Sequence, residues 1–187
     1  MGVLADHAIR DMLTRGEISA EPAVIDAQVQ PASLDRRLGA RAWRVRASFL
    51  AGEGRTVAER LEEFEMHQID LTDGAVLEKG CVYVVPLMER LALPEGIQAV
   101  ANAKSSTGRL DLLTRLITDE GVEFDRIAPG YDGPLFAEIC PRSFSVLVRP
   151  GMRLNQIRFR DGQAVLTDPA LMALHESTPL VDGPAVI

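Results

Sequence analysis

From Gln68 onward the chain is cut into short apolar runs by glycine, proline and charged residues. The runs are Ile69 to Leu71, Val76 to Leu77, Val82 to Leu87, Ile97 to Ala103, Val122 to Ile127, Leu135 to Cys140, Ser145 to Val148 and Leu154 to Phe159. Runs of this length are too short for a helical bundle, whereas many short strands separated by turn residues close into a β-barrel or a two-sheet roll. With 187 residues, 47% of them hydrophobic, the chain has enough material for one such domain with its own core.

Helices are expected only at the margins of this β region. Asp6, followed by Ile9, Met12 and Leu13 and closed by Gly16, predicts a short amphipathic helix with a glycine stop. Val57 to Met66 sets Val57, Leu61 and Phe64 on a helical spacing, with Glu59, Glu62, Glu63 and Glu65 on a solvated face. Between them, Gln30-Pro31-Ala32-Ser33-Leu34-Asp35 and Leu38-Gly39 lead into a strand around Ala42 to Phe49, and Gly52 to Arg55 reads as a loop. Residues 1–167 are read as the domain and 168–187 as a linker-like tail with one helical stretch around Pro169 to His175.

Several function classes fall away. Cys81 and Cys140 form no CxxC pair, and His7, His67 and His175 show no ligand spacing with each other or with them. Neither a disulfide framework nor a zinc site is expected, and a reducing, cytoplasmic setting is. A formal net charge of -7 argues against a nucleic-acid polymer as partner, since such binding draws on Lys and Arg meeting phosphates. No apolar stretch approaches the length that crosses a bilayer, and Met1 to Ile9 lacks the pattern of a leader, so no membrane association is expected.

Two clusters could carry chemistry. Lys104-Ser105-Ser106-Thr107-Gly108-Arg109 follows the strand-like Ile97 to Ala103. Its cations and hydroxyls suit a phosphate cradle. The same residues also suit a strand-to-helix turn, with Ser105 or Ser106 capping a helix over Leu110 to Leu116. The second cluster is the glycine-rich hairpin Ile127-Ala128-Pro129-Gly130-Tyr131-Asp132-Gly133, which runs into a strand bearing Glu138 among Leu135, Phe136, Ala137, Ile139 and Cys140. A carboxylate withdrawn from water there would suit a general base, but strand alternation equally allows it to face solvent. Asp70, Asp73, Asp111, Asp119 and Glu120 read as caps or solvated charges, and Trp43 and Tyr131 could stack on a base, although core or turn packing is the commoner use of such residues.

In order, these segments resemble the dCTP deaminase branch of the dUTPase-like superfamily. Gln30 to Asp35 with Leu38-Gly39 is similar to that family's QPASxDxRLG element, and Lys104 to Arg109 to its RSSxxR substrate motif. Pro129 to Gly133 with Glu138 is similar to PGWxG and the following xLE strand, and Arg149-Pro150-Gly151-Met152 with Gln156 and Phe159 to RPGMxIxQxxF. The resemblance covers roughly residues 28–160. It implies a mainly β, distorted barrel with a jelly-roll-like core and a few short helices, assembled as a homotrimer with sites between subunits.

It also implies zinc-independent hydrolysis of dCTP to dUTP and ammonia. Glu138 would act as general base and acid, Ser105 would position the attacking water, and Arg109 and Ser106 would serve the base and phosphate ends. Lys104, Thr107 and Gly108 would complete the substrate loop, the strand at Phe136 and Ala137 would read the pyrimidine edge, and Mg²⁺ would ride on the triphosphate. dUTP and dTTP are the related ligands. The alternatives are a dUTP diphosphatase or bifunctional enzyme, and a non-catalytic nucleotide-binding or trimer-scaffolding half of a tandem protein. Three departures bear on these roles. Ala128 stands where the family has an aspartate for the sugar 3′-hydroxyl, Lys104 replaces arginine, and no tyrosine or lysine follows Tyr131 to form a closing lid.

Overall fold

The computed structural model describes residues 2–162 and 166–182. Two antiparallel sheets share one apolar core. The first contains β1 (Gly2–Val3), β3 (Val29–Gln30), β4 (Ser33–Arg36), β9 (Ile97–Ala103), β11 (Arg126–Ile127) and β14 (Asn155–Asp161), in the order β11-β9-β14-β4-β3 with β1 added to β14. The second contains β2 (Ile18–Ala20), β5 (Arg41–Val45), β6 (Glu65–Asp70), β8 (Val82–Ala92), β10 (Leu112–Thr118) and β12 (Asp132–Pro141), in the order β10-β12-β8-β5-β6 with β2 added to β8. A small ribbon pairs β7 (Ala75–Leu77) with β13 (Val146–Val148). The mainly β reading holds.

Among the described residues four α-helices decorate the sheets: α1 (Asp6–Thr14), α2 (Val57–Phe64), α3 (Ser105–Arg109) and α4 (Asp168–Ser177). The spacing in α1 buries Ile9 and Met12, and Gly16 follows it with a positive φ of 77° that releases the chain from the helix. At α2, the Thr56 hydroxyl accepts from the Glu59 N–H while the Glu59 carboxylate accepts from the Thr56 N–H at 2.7 Å. The Asp119 carboxylate adds a third contact by accepting from the Val57 N–H at 2.7 Å, so one of the acidic residues read as caps does cap. In α4 no residue is buried.

The stretch from Leu110 to Leu116 corrects the sequence. The short helix is α3 itself, and Leu112 onward is strand β10, paired with β12 from Leu112↔Pro141 to Thr118↔Leu135. Strand residues alternate between faces. In β12, Leu135, Ala137 and Ile139 therefore enter the main core, while Phe136 joins a second cluster with Val45, Phe49, Val57, Leu61, Val84 and Ile117. That second cluster lies beneath α2 and the preceding loop, so both faces of the β12 sheet are covered. Glu138 shares the parity of Phe136 and belongs to this second face.

Away from that face, the early strands are pinned by a buried polar knot. Glu89 of β8 accepts from the Arg37 side chain and backbone, each at 2.8 Å, and from the Gln28 amide at 2.8 Å. A buried carboxylate is tolerated only when its oxygens are satisfied in this way.

Candidate active site

Glu138 sits at the middle of β12, opposite Arg115 of β10 and Val84 of β8. It is 1% exposed, so the solvent-facing alternative is excluded for this chain. The register that sets Arg115 opposite Glu138 brings the guanidinium onto one oxygen: Nη2 lies 2.5 Å and Nε 3.1 Å from Oε1. Arg115 is itself held. Its Nη2 also donates to the Ser48 hydroxyl at 3.0 Å, and its guanidinium carbon stands 3.7 Å from the Phe124 ring centroid, a cation–π geometry. The other carboxylate oxygen, Oε2, is buried and meets no donor in the protein.

The serine-bearing segment lies elsewhere. Ser105, Ser106, Gly108 and Arg109 are exposed on α3, at the end of the β10–β12 ladder where Arg142 N–H donates to the Asp111 carbonyl. Pro141 lies three residue steps beyond Glu138 on β12, or about 10 Å along the ladder. Two members of the segment are used internally. The Lys104 ammonium pairs with the buried Asp35 carboxylate, and the Thr107 hydroxyl donates to the Leu154 carbonyl at 2.8 Å. These bonds tie α3 to the first sheet and leave Ser105, Ser106 and Arg109 as its free face.

Phe136 and Ala137 lie in the interior of the second sheet, flanked by β10 on one side and β8 on the other. Their backbone groups are directed into those ladders, so presenting them to a pyrimidine requires one ladder to open. Within one chain the residues named from the sequence therefore form two groups, α3 and the Glu138 environment. Sequence reasoning missed Arg115 and Ser48. The one signal for Arg115 was a lone cation inside the apolar run Leu112 to Ile117.

A third feature is a cleft of about 660 Å³ along the glycine-rich hairpin, lined among others by Thr56, Gln98, Arg126, Ala128, Pro129 and Tyr131. The small Ala128 side chain leaves this wall open. Gly130 adopts φ 72°, which a side chain would disfavour, and turns the hairpin. Tyr131 locks it: its hydroxyl donates to the Pro134 carbonyl at 2.6 Å and accepts from the Asp119 N–H at 3.2 Å, and burial pushes its pKa above the ordinary tyrosine value.

The fold and the site define a two-sheet β domain with one carboxylate withdrawn into its second face, and comparison with known proteins assigns its family. Residues 1–163 match the family model of the 2′-deoxycytidine 5′-triphosphate deaminase N-terminal domain, and the chain belongs to that family. It is 28% identical over 162 residues to a dCTP deaminase of Halorubrum lacusprofundi, covering 85% of this chain and 77% of the relative. It is 31% identical over 165 residues to a dUMP-forming dCTP deaminase of Methanoculleus marisnigri, covering 84% and 79%. The crystal structure of 2′-deoxycytidine 5′-triphosphate deaminase from Agrobacterium tumefaciens superposes with a TM-score of 0.89 at 55% identity, over 96% of this chain and 54% of that one. The chain thus spans about half the length of that solved relative.

Proposed function

We propose that this chain deaminates dCTP to dUTP and ammonia, with Glu138 carrying the proton. The observation that carries the reading is the unequal treatment of its two oxygens. Oε1 is held by Arg115, and Oε2 is buried without a donor. A carboxylate fixed through one oxygen and free at the other is set up to accept a proton from water and return it. In the step envisaged, Oε2 takes a proton from water as the water oxygen bonds to C4. That proton passes to the exocyclic amine, the C4–N bond breaks and ammonia leaves, and the remaining hydroxyl proton moves from the C4 oxygen to N3, which leaves a carbonyl at C4 and N–H at N3.

Ser105, Ser106 and Arg109 are the donors for water and substrate in this reading. One chain keeps them apart from Glu138, so a neighbouring copy in a homotrimer would have to bring them to β12. The 46–56 segment, whose Phe49, Leu50 and Ala51 pack on the Glu138 face, would have to move as well. Among the described residues, no group of three or more His, Cys, Asp or Glu side chains is arranged to hold a metal. Mg²⁺ enters this proposal only as the counterion of the triphosphate. No helix among the described residues is long and apolar enough to cross a membrane, and the reading places the enzyme in the cytoplasm.

A second reading, a nucleotide-binding or scaffolding half of a longer protein, is favoured by the cover over Glu138 and by the match to half of the Agrobacterium chain. Incubating the 187-residue chain with dCTP and Mg²⁺ separates the two. Ammonia and dUTP support deamination, nucleotide binding without turnover supports the scaffold, and pyrophosphate release from dUTP supports a diphosphatase or bifunctional enzyme.

A further inference from the structure

The most completely buried cation in the chain has no part in the readings above. Arg36 closes β4 and is 0% exposed. Its Nε donates to Oδ1 of Asn155, its register partner on β14, at 3.2 Å. Asn155 is also buried. Both terminal nitrogens of Arg36, and Nδ2 of Asn155, are sealed from solvent and find no acceptor in the protein. Thr114 Oγ1 is in the same condition, on the core-facing row of β10, which packs against β9 and β14.

The neighbouring carboxylates do not resolve this. Glu89, Asp125 and Asp35 lie close enough to favour the charge, yet burial still lowers the Arg36 guanidinium to about 10, which leaves it a cation at neutral pH. Each carboxylate is bonded elsewhere: Glu89 to Arg37, Asp35 to Lys104, and Asp125 to the Leu116 N–H. None forms an ion pair with Arg36 among the described residues.

The chemistry of the orphaned groups selects what could satisfy them. The Arg36 terminal nitrogens and Asn155 Nδ2 are donors only, and the Thr114 hydroxyl can donate too. A water would accept from them but bring hydrogens that need acceptors of their own. An anion accepts from every donor and offsets the buried charge, whose desolvation is otherwise costly. We propose that the Arg36 terminal nitrogens and Asn155 Nδ2 form an internal site for a small inorganic anion of the halide class. The site joins β4 to β14 within the first sheet, and it stands independently of the deaminase reading.

The test uses the 187-residue protein dialysed into a chloride-free gluconate buffer. Sodium chloride then replaces gluconate at constant ionic strength while thermal unfolding is followed. The proposal predicts a Tm that rises with chloride, by roughly 3–5 °C per tenfold increase once the site begins to fill. Arg36→Met, and separately Asn155→Leu should the first variant fail to fold, abolish that dependence. Crystals grown with bromide show an anomalous peak at the Arg36 terminal nitrogens. A Tm indifferent to chloride in the unaltered protein, or ordered water without anomalous signal at Arg36, overturns the proposal.

Discussion

Arg115 and Glu138 face one another across the β10–β12 ladder, with guanidinium Nη2 2.5 Å from carboxylate Oε1. The pair joins a 30% exposed side chain to a 1% exposed one, so its geometry is decided by the sheet and its charge balance by a single contact. It defines which oxygen of Glu138 is held and which is free.

Removing the cation strands the carboxylate. Arg115→Met should lower unfolding free energy by about 3 kcal/mol, toward the low end for a broken buried pair because Arg115 is partly exposed. Urea unfolding measures it. Adding Glu138→Gln to that variant should recover part of the loss, and a double-mutant cycle with no coupling would contradict the ion pair.

Gly133 is required by close approach. A Cβ there would stand 2.4 Å from the Tyr131 hydroxyl oxygen, so Gly133→Ala must expel the tyrosine from its bond to Pro134. The expected cost is about 1–3 kcal/mol, seen as a fall in Tm of several degrees. An unchanged Tm would show that the hairpin is not locked by Tyr131.

Asp125 gives the protein a pH-dependent weakness. Burial raises its carboxyl above the ordinary value, opposed by the hydrogen bond from the Leu116 N–H and by the charge of Arg36. A raised acid binds its proton more tightly when folded. Its contribution is therefore fully present below the ordinary aspartate value and is lost as pH rises through the raised one. Asp125→Asn keeps the oxygen acceptor and tolerates the left-handed backbone at φ 62°. That variant should be more stable than the parent near neutral pH and gain nothing below about pH 3.5 in paired denaturation curves. A gain independent of pH would contradict the assignment.

How much of this was legible beforehand depended on whether a feature was local. Ile97 to Ala103 is strand β9 end to end, because Ile97, Ala99, Ala101 and Ala103 alternate with other residues between a glycine and the Lys104 turn. The α1 and α2 spacings also translate directly. By contrast, Leu112-Leu113-Thr114-Arg115-Leu116 follows a serine-rich turn and satisfies helix and strand patterns alike. Pairing with β12, about two dozen residues away, decides it. Strands β1 to β3 hold two or three residues each and are too short to show a period.

The site followed the same rule. Alternation gave Glu138 a face but could not say that α2 covers that face, because the cover comes from a segment some eighty residues earlier. Lys104 looked like a phosphate ligand from its neighbours, while its partner Asp35 lies 69 residues away in sequence. The four ordered motifs identified the family because they record such long-range constraints indirectly, as residues kept together by the fold.

The account turns on proton transfer by Glu138, and the most direct measurement is the rate of ammonia release from dCTP by the 187-residue chain and by its Glu138→Gln variant. The account predicts turnover in the first and a loss of about 10²–10⁴-fold in the second, with dCTP binding retained. Equal rates in the two proteins would contradict it.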